Sequence, residues 1–515
     1  MSTLNGQHVL ILGLGNSGLA MARWCVRCGA QVTVADTREQ PPQLQALQRD
    51  LPATRFVHGA LDASLLLGGD VRALFKSPGL APAEVATVVS AAREQGLWVG
   101  GELSLFAQAL AELKGARNYH PQVLAVTGTN GKTTVTSLTA QLVARAAKSV
   151  VAAGNIGPTL LDTLAQQLDA DSLPEVWVLE LSSFQLDDVS DFEPTAATVL
   201  NISQDHLDWH GSMDAYVAAK ARVFGRHGLM VLNRDEPLVM AMRETLVVAV
   251  PTKRGAPVPL PAHPWTSFGA DMPQRPGDFG IEVVNGMTWL VRAMETEETH
   301  KSKRAAARDA VADLHIQRLM PADALRIRGR HNAVNALAAL ALAASAGCGL
   351  AATLHGLREY RGEPHRVQPV GMLDGVEYFD DSKGTNVGAT VAALAGLGAE
   401  RRVVVILGGE GKGQDFNPLA APLAQYARAA VLIGRDAPLI RAALDVTGVP
   451  LLQAGSMQQA VQMARQHAHA GDAVLLSPAC ASFDMFDNYE HRARVFVQAV
   501  QEIALDAGTV LEGQA

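Results

Sequence analysis

Cysteine is scarce in this chain, with four residues in 515. So few exclude a disulfide framework of the kind that staples small secreted domains. Cys25 and Cys28 do form a C-x-x-C. A zinc site would want a second such pair and there is none, so the spacing reads as two small apolar residues one helical turn apart. Long apolar runs are missing as well. The longest, Ala336 to Ala346, is too short to cross a bilayer. The first residues show no basic segment followed by an apolar core and a cleavage site. A cytoplasmic protein without membrane insertion is expected. Nor is there an excess of positive charge: 43 Lys and Arg stand against 51 Asp and Glu, a formal net charge of -8. A nucleic-acid surface would show a basic stripe, so no nucleic-acid partner is expected. No fixed-period repeat occurs.

What is present is an ordered globular composition, 48% hydrophobic and 18% charged. At roughly 150 residues per domain, the length suggests about three domains. The chain opens with the apolar run His8–Leu12, the turn Gly13-Leu-Gly-Asn-Ser-Gly18, a helical pattern to Cys28 and a second run, Gln31–Asp36. That is one strand-helix-strand unit. Short strands are expected at 55–58, 73–76 and 98–99, then a linker from Gly115 to Pro121. Near-continuous apolar runs follow at 123–127, 176–180, 197–201 and 230–233, separated by helices, as in a parallel sheet covered on both faces. Pro251 to Pro264 is proline-rich and expected to be irregular. Glu295 to Arg308 is dense in charge and reads as a solvated, mobile insertion. A third unit begins near Gly362, with strands expected at 376–380, 402–407, 430–433 and 473–477 and a frayed tail after Leu511. The fold class is α/β throughout.

Three segments carry the chemistry. In Gly128-Thr-Asn-Gly-Lys-Thr-Thr134, the glycines let backbone N–H groups approach phosphate oxygens, and the helix that follows adds a favourable dipole. Lys132 suits the β- and γ-phosphates, and the Thr133 hydroxyl suits Mg²⁺. The usual phosphate loop has glycine six positions before its lysine; here Val126 stands there, so this is a shortened form. Glu180 ends an apolar strand, where a carboxylate is costly unless it is used, and hard Mg²⁺ prefers oxygen ligands. Ser182, Ser183 and Gln185 after it either position substrate or cap a helix. His206 lies in a polar loop past the strand ending at Asn201, and Lys220 falls in the helical stretch 213–224. Gly13-x-Gly-x-x-Gly18 with Asp36 also fits a dinucleotide-dependent oxidoreductase, and the phosphate loop alone fits a nucleotide switch or motor. Neither accounts for Glu180 together with the later loop Asp381–Asn386.

These segments resemble the Mur ligase family, ATP-dependent amide-forming enzymes of peptidoglycan synthesis. The shortened loop Thr127–Thr134 is that family's form, and the resemblance runs over essentially the whole chain. Four segments look most like the members that add D-glutamate to UDP-N-acetylmuramoyl-L-alanine: Glu180-Leu-Ser-Ser-Phe-Gln-Leu186, Gln204-Asp-His-Leu-Asp208, Asp381-Ser-Lys-Gly-Thr-Asn386 and Ser477-Pro-Ala-Cys-Ala-Ser-Phe-Asp484. The resemblance implies three domains. Residues 1–116 form a Rossmann-like module for the UDP-sugar. Residues 117–361 form a P-loop ATPase-like parallel sheet for ATP, and 362–515 a Rossmann-like amino-acid module. A monomer is expected. The products serve cell-wall biogenesis, and through it cell shape and division.

The resemblance also implies site residues. A lysine at the place of Lys220 carries a carbamate formed with CO₂, which turns a cation into an oxygen ligand for a second Mg²⁺. Lysine must be neutral to react, so its pKa should be depressed by its surroundings. His206 matches a ligand of that ion, Glu180 contacts both ions and Thr133 the first. Gly128, Thr129, Asn130, Gly131, Lys132, Thr133 and Thr134 hold the triphosphate, and Asn332, Asn335, Arg366 and Asp381 the adenosine. Lys383, Thr385 and Lys412 meet D-glutamate or the reacting phosphate, with Lys383 and Lys412 joining the catalytic set. His365 lies beside Arg366, and Ser482, Phe483 and Tyr489 cradle the amino acid; Tyr489 replaces a phenylalanine and keeps the ring. Gly13, Gly15, Asn16, Ser17 and Gly18 match the pyrophosphate turn, Asp36, Thr37 and Arg38 the uridine side, and Ser77, Gly79 and Asn155 further sugar contacts.

Overall fold

A computed structural model describes residues 3–245, 247–250, 258–261, 263–295, 314–399, 401–509 and 511. Most of the charged insertion after Glu295, the stretch 251–257 and the tail 512–515 lie outside these residues.

Five strands form the first sheet: β1 (His8–Leu12), β2 (Gln31–Asp36), β3 (Arg55–His58), β4 (Val71–Lys76) and β5 (Trp98–Gly100). Their order is β3-β2-β1-β4-β5, and every pairing is parallel. β1 sits between β2 and β4, so the strand order reverses there. Ligands bind open parallel sheets in the crevice at such a reversal, and the turn after β1 lies beside the segment after β4. The helix Glu102–Arg117 then leads to the second sheet. Gly115, expected in a linker, lies inside this helix. The chain breaks only at Asn118, which ends it in the left-handed conformation at φ 51°.

The second sheet contains β6 (Gln122–Thr127), β7 (Val150–Gly154), β8 (Val176–Glu180), β9 (Ala196–Val199) and β10 (Leu229–Asn233). A hairpin follows, β11 (Val247–Val250) with β12 (Val258–Pro261), and then the outer strand β13 (Trp265–Phe268). The hairpin corrects the expectation of wholly irregular chain in the proline-rich stretch: Val258 and Leu260 alternate with prolines, which a two-stranded edge tolerates. The sheet order is β13-β10-β9-β6-β8-β7, all parallel. β9 stops at Val199, two residues before the expected end. A separate antiparallel sheet packs alongside, β14 (Phe279–Val284), β15 (Met287–Glu295) and β16 (Leu314–Pro321).

The last sheet holds β17 (Gln368–Leu373), β18 (Val376–Asp380), β19 (Val403–Gly408), β20 (Ala427–Ile433), β21 (Leu451–Gln453) and β22 (Ala473–Leu476). Its order is β17-β18-β22-β19-β20-β21, with only β17 antiparallel.

One buried apolar cluster runs from the first sheet into the second, and Phe106 meets Trp177 edge-to-face at 5.2 Å across that junction. The core of the last sheet is made of separate clusters. It meets the central sheet mainly through polar contacts near the phosphate loop and through His331 against Gly396. Apolar burial fixes the first two units together, while a handful of hydrogen bonds holds the third. Among the described residues no helix is long and apolar enough to cross a membrane. Cys25 and Cys28 are free thiols, Cys25 on the helix Asn16–Arg27 and Cys28 capping it, as the spacing implied.

Candidate active site

The loop between β6 and the helix Lys132–Arg145 curls beneath the C-terminal ends of β8 and β9. Gly131 takes φ 82°, and a Cβ there would lie 3.0 Å from the Asn335 side chain, so glycine is demanded by both backbone and space. Asn201 continues the sheet past β9. Its carboxamide accepts the Asn130 N–H at 2.8 Å and donates to the Asn130 carbonyl at 3.1 Å. Thr129 Oγ1 is held by Tyr216 at 3.0 Å and by the Ser203 N–H at 3.0 Å. The loop is thus shaped before any phosphate arrives.

Two lysines point into it. Lys132 Nζ donates to the carbonyls of Gly128 and Thr129, both at 2.9 Å. Lys220 is 2% exposed, and its Nζ donates to the same Gly128 carbonyl at 2.9 Å, 4.7 Å from the centre of the Tyr216 ring. Burial lowers the pKa of both amines, and Lys132 depresses Lys220 further. A depressed pKa is what the resemblance implies for an amine in this place.

Glu180 ends β8 in register with Val126 and Gly154. It is 2% exposed. Oε1 accepts from Asn155 Nδ2 at 2.7 Å, but Oε2 is buried without a hydrogen-bond partner among the described residues. An unpartnered buried carboxylate oxygen is expensive unless a cation meets it. His206 opens the short helix Leu207–His210, with its ring edge-on to Phe184 at 4.7 Å and Nε2 3.6 Å from Asp205. Burial lowers its pKa, Asp205 opposes that, and Lys132, Lys220 and Lys412 add to it, which favours the neutral ring. Among the described residues no three His, Cys, Asp or Glu side chains converge to hold a metal by themselves. The Glu180 carboxylate and the Thr133 hydroxyl are the hard oxygen donors that suit Mg²⁺.

The last domain reaches this centre at three points. Arg366 Nη2 donates to Thr133 Oγ1 at 2.8 Å. Asn386 caps the helix Val387–Gly398 and also donates to Asn130 Oδ1 at 3.1 Å. Burial lowers the Lys383 pKa, with Glu180 among the acids that pull it back, and its Nζ lies 5.4 Å from the Tyr489 ring centre. Lys412, Ser482 and Phe483 sit on the loops after β19 and β22, which the Glu410–Ala481 bridge ties together. Phe483 is exposed. Asn335 donates to Asn332 at 3.2 Å beside Gly131.

Asp381 is buried and takes hydrogen bonds from Ser477 at 2.6 Å and the Val367 N–H at 3.2 Å. Burial outweighs these and pushes its pKa from 3.8 to about 7. A carboxyl whose pKa rises on folding binds its proton more tightly when native. Its contribution to stability is complete below about pH 4 and is lost as pH climbs through about 7. Asp381→Asn should therefore flatten the fall in Tm between pH 5 and 8, measured by calorimetry in matched buffers.

In the first sheet, Gly18 packs so tightly that a Cβ would fall 2.0 Å from the Gly13 carbonyl oxygen. Ser77 donates its N–H to Leu12, which brings Ser77–Gly79 beside the glycine turn. Asn16 accepts from Gln43 at 2.8 Å. Asp36 is already engaged: Leu14 N–H donates to Oδ2 at 2.7 Å, and Arg38 forms a bidentate pair with both oxygens at 2.8 and 2.9 Å. A dinucleotide site needs that acid free for a ribose diol.

Three family models match the chain: the Mur ligase MurD-like N-terminal domain over residues 7–101, the Mur ligase middle domain over 126–253 and the Mur ligase glutamate ligase domain over 365–480. The UDP-N-acetylmuramoylalanine--D-glutamate ligase of Albidiferax ferrireducens is 69% identical, and the match covers 100% of both chains. The chain belongs to the Mur ligase family. The protein of the same name from Polaromonas sp. is 57% identical over 99% of this Mur ligase and 100% of its own length. Among solved structures, MurF from Acinetobacter baumannii superposes with TM-score 0.56 at 17% identity, covering 97% of this chain and 93% of its own. MurC from Thermotoga maritima gives 0.50 at 20%, covering 96% and 99%. Both are likenesses of the three-domain fold.

Several side chains of this Mur ligase carry the site without having been singled out. Arg492 is fully buried and donates to Ser382 Oγ, the Ser382 carbonyl and the Cys480 carbonyl at 3.0, 2.7 and 3.0 Å, locking the loop that presents Lys383 against the loop that presents Ser482. Asn386 and Asp205 sit in motifs already noted, but nothing local shows that one reaches toward the other. Ser182 and Gln185 form a capping box on the helix Ser183–Leu186, the second of the two readings their sequence allowed. Asn155, placed on the sugar side by resemblance, also donates to Glu180 Oε1 at 2.7 Å.

Proposed function

We propose that this Mur ligase adds D-glutamate to UDP-N-acetylmuramoyl-L-alanine, with ATP as the activating substrate, in cytoplasmic peptidoglycan precursor synthesis. The observation that carries this reading is full-length identity of 69% to a relative named for that reaction. The first sheet would take the UDP-sugar at its β1/β4 crevice, the second ATP on its shortened loop, and the last D-glutamate. The chain would act as a monomer.

The reaction runs in two steps. The L-alanyl carboxylate attacks the γ-phosphorus of ATP, the bond to the β-phosphate oxygen breaks, and an acyl phosphate and ADP result. The D-glutamate amine then attacks the acyl carbon, the tetrahedral intermediate expels phosphate, and the amine's proton is lost to the departing phosphate or a base. Lys132 would move from its two loop carbonyls to the β- and γ-phosphates and spread the charge that builds during transfer. Thr133, Glu180, His206 and carbamylated Lys220 would hold two Mg²⁺ ions, which supply further charge neutralisation when bound. Arg366 would exchange its bond to Thr133 for phosphate or ribose oxygens, with Asn332, Asn335 and Asp381 on the nucleoside. Lys383, Thr385, Lys412, Ser482 and Tyr489 would orient the amino acid. The last domain rests on few polar contacts, which supports closure and reopening in each cycle.

Phosphate release should appear with the UDP-sugar, ATP and D-glutamate together and stay at background with L-glutamate, L-alanine or D-aspartate. Equal stimulation by an L-amino acid would overturn the assignment.

A further inference from the structure

Glu102 is 3% exposed and has no part in the chemistry above. It opens the helix that follows β5, yet its carboxylate faces both of the first two domains. From the first, the Ser17 side chain in the glycine turn lies beside it and favours its charged form. From the second, the Leu161 N–H donates to Oε1 at 3.1 Å, and the neighbouring Leu160 N–H also favours the charged form. Those N–H groups belong to the first turn of the helix Leu160–Asp169, where no intrahelical partner exists. A carboxylate there also meets the positive end of the helix dipole.

The contacts continue in both directions. The loop before that helix is closed by the Gly154 N–H on the Pro158 carbonyl at 3.0 Å. It begins at Asn155, which grips Glu180 twice: Nδ2 on Oε1 at 2.7 Å and backbone N–H on the Glu180 carbonyl at 2.8 Å. Hydrogen bonds and short backbone segments thus lead from Glu102, through Leu161 and the loop 154–158, to the acid at the phosphate loop.

We propose that Glu102 is a positioning residue, holding the turn that binds the diphosphate-sugar in register with the loop that orients Glu180. The inference rests on the ligase reading. One end of the sugar substrate is gripped by the first domain, while its carboxylate reacts in the second. An error of register therefore weakens binding and spoils alignment together. The phosphate loop reaches ATP without this path.

Glu102→Gln keeps the volume but presents an amide to three donors. Its KM for the UDP-sugar should rise roughly tenfold and kcat should fall roughly tenfold, with KM for ATP within about twofold of wild type. In the Asn155→Ala background the Glu102→Gln effect on kcat should shrink, because both changes cut one path. Arg23→Ala is the structural control: Arg23 bonds Asp50 and Asp162 across the same junction from the surface. It should leave the kinetic constants unchanged. Unchanged kinetics in Glu102→Gln, or the same kinetic pattern in Arg23→Ala, would overturn the inference. A wild-type enzyme that releases no phosphate with D-glutamate would instead overturn the ligase reading.

Discussion

Lys220→Ala is expected to bring ligation to background while the protein stays folded. The lysine is buried, and only Gly128 O, Thr127 Oγ1 and the Tyr216 ring receive its amine. Burial and the neighbouring Lys132, which sits on the same carbonyl, outweigh the pull of Asp205 and lower the Lys220 pKa. The shift favours the uncharged amine, the form that attacks CO₂. A structural lysine in this place would make the variant melt early. A carbamylated one makes it inert but intact, because the amine's few hydrogen bonds contribute little to the fold. Lys220→Arg separates the cases further, since it keeps a cation and cannot form the carbamate. Turnover with UDP-sugar, ATP and D-glutamate, read beside Tm, decides between them, and high bicarbonate should raise wild-type activity in dilute enzyme. An undiminished rate in Lys220→Ala removes the carbamate from the mechanism.

Lys132→Ala should lower kcat by roughly 10²-fold or more. Its ammonium is drawn back on two loop carbonyls at 2.9 Å, within reach of the phosphates those N–H groups would cradle. Charge builds on the transferred phosphoryl oxygens only in the transition state, so kcat should suffer more than KM for ATP. Pre-steady-state measurement of acyl-phosphate formation locates the loss in the first step. A variant that loses only ATP affinity would assign Lys132 to ground-state binding.

The strands that carry the site were legible because both their faces are buried. Val176–Glu180 reads as an unbroken apolar run closed by one acid, and that run forms β8 with the same bounds. Edge strands were harder. β17 and β21 leave part of their length toward solvent and no continuous run marks them, while β7 is marked only by the short run Val150–Ala153. The early end of β9 has a physical cause: Leu200 and Asn201 turn to serve the phosphate loop instead of the sheet. Domain closure by Asn386 on Asn130, and the braces at Glu102 and Arg492, join residues far apart in the chain. A single charged residue beside an apolar run looks the same whether it is solvated or is the keystone of a junction, and only packing tells them apart.

The clasp between Asp36 and Arg38 has a consequence for engineering. Glycine spacing makes the first sheet look one step from a nicotinamide-cofactor scaffold, but the step does not lie in the glycines. A designer seeking that specificity would have to strip the guanidinium from position 38 first, because as long as it stays the carboxylate has no lone pair left to offer a sugar.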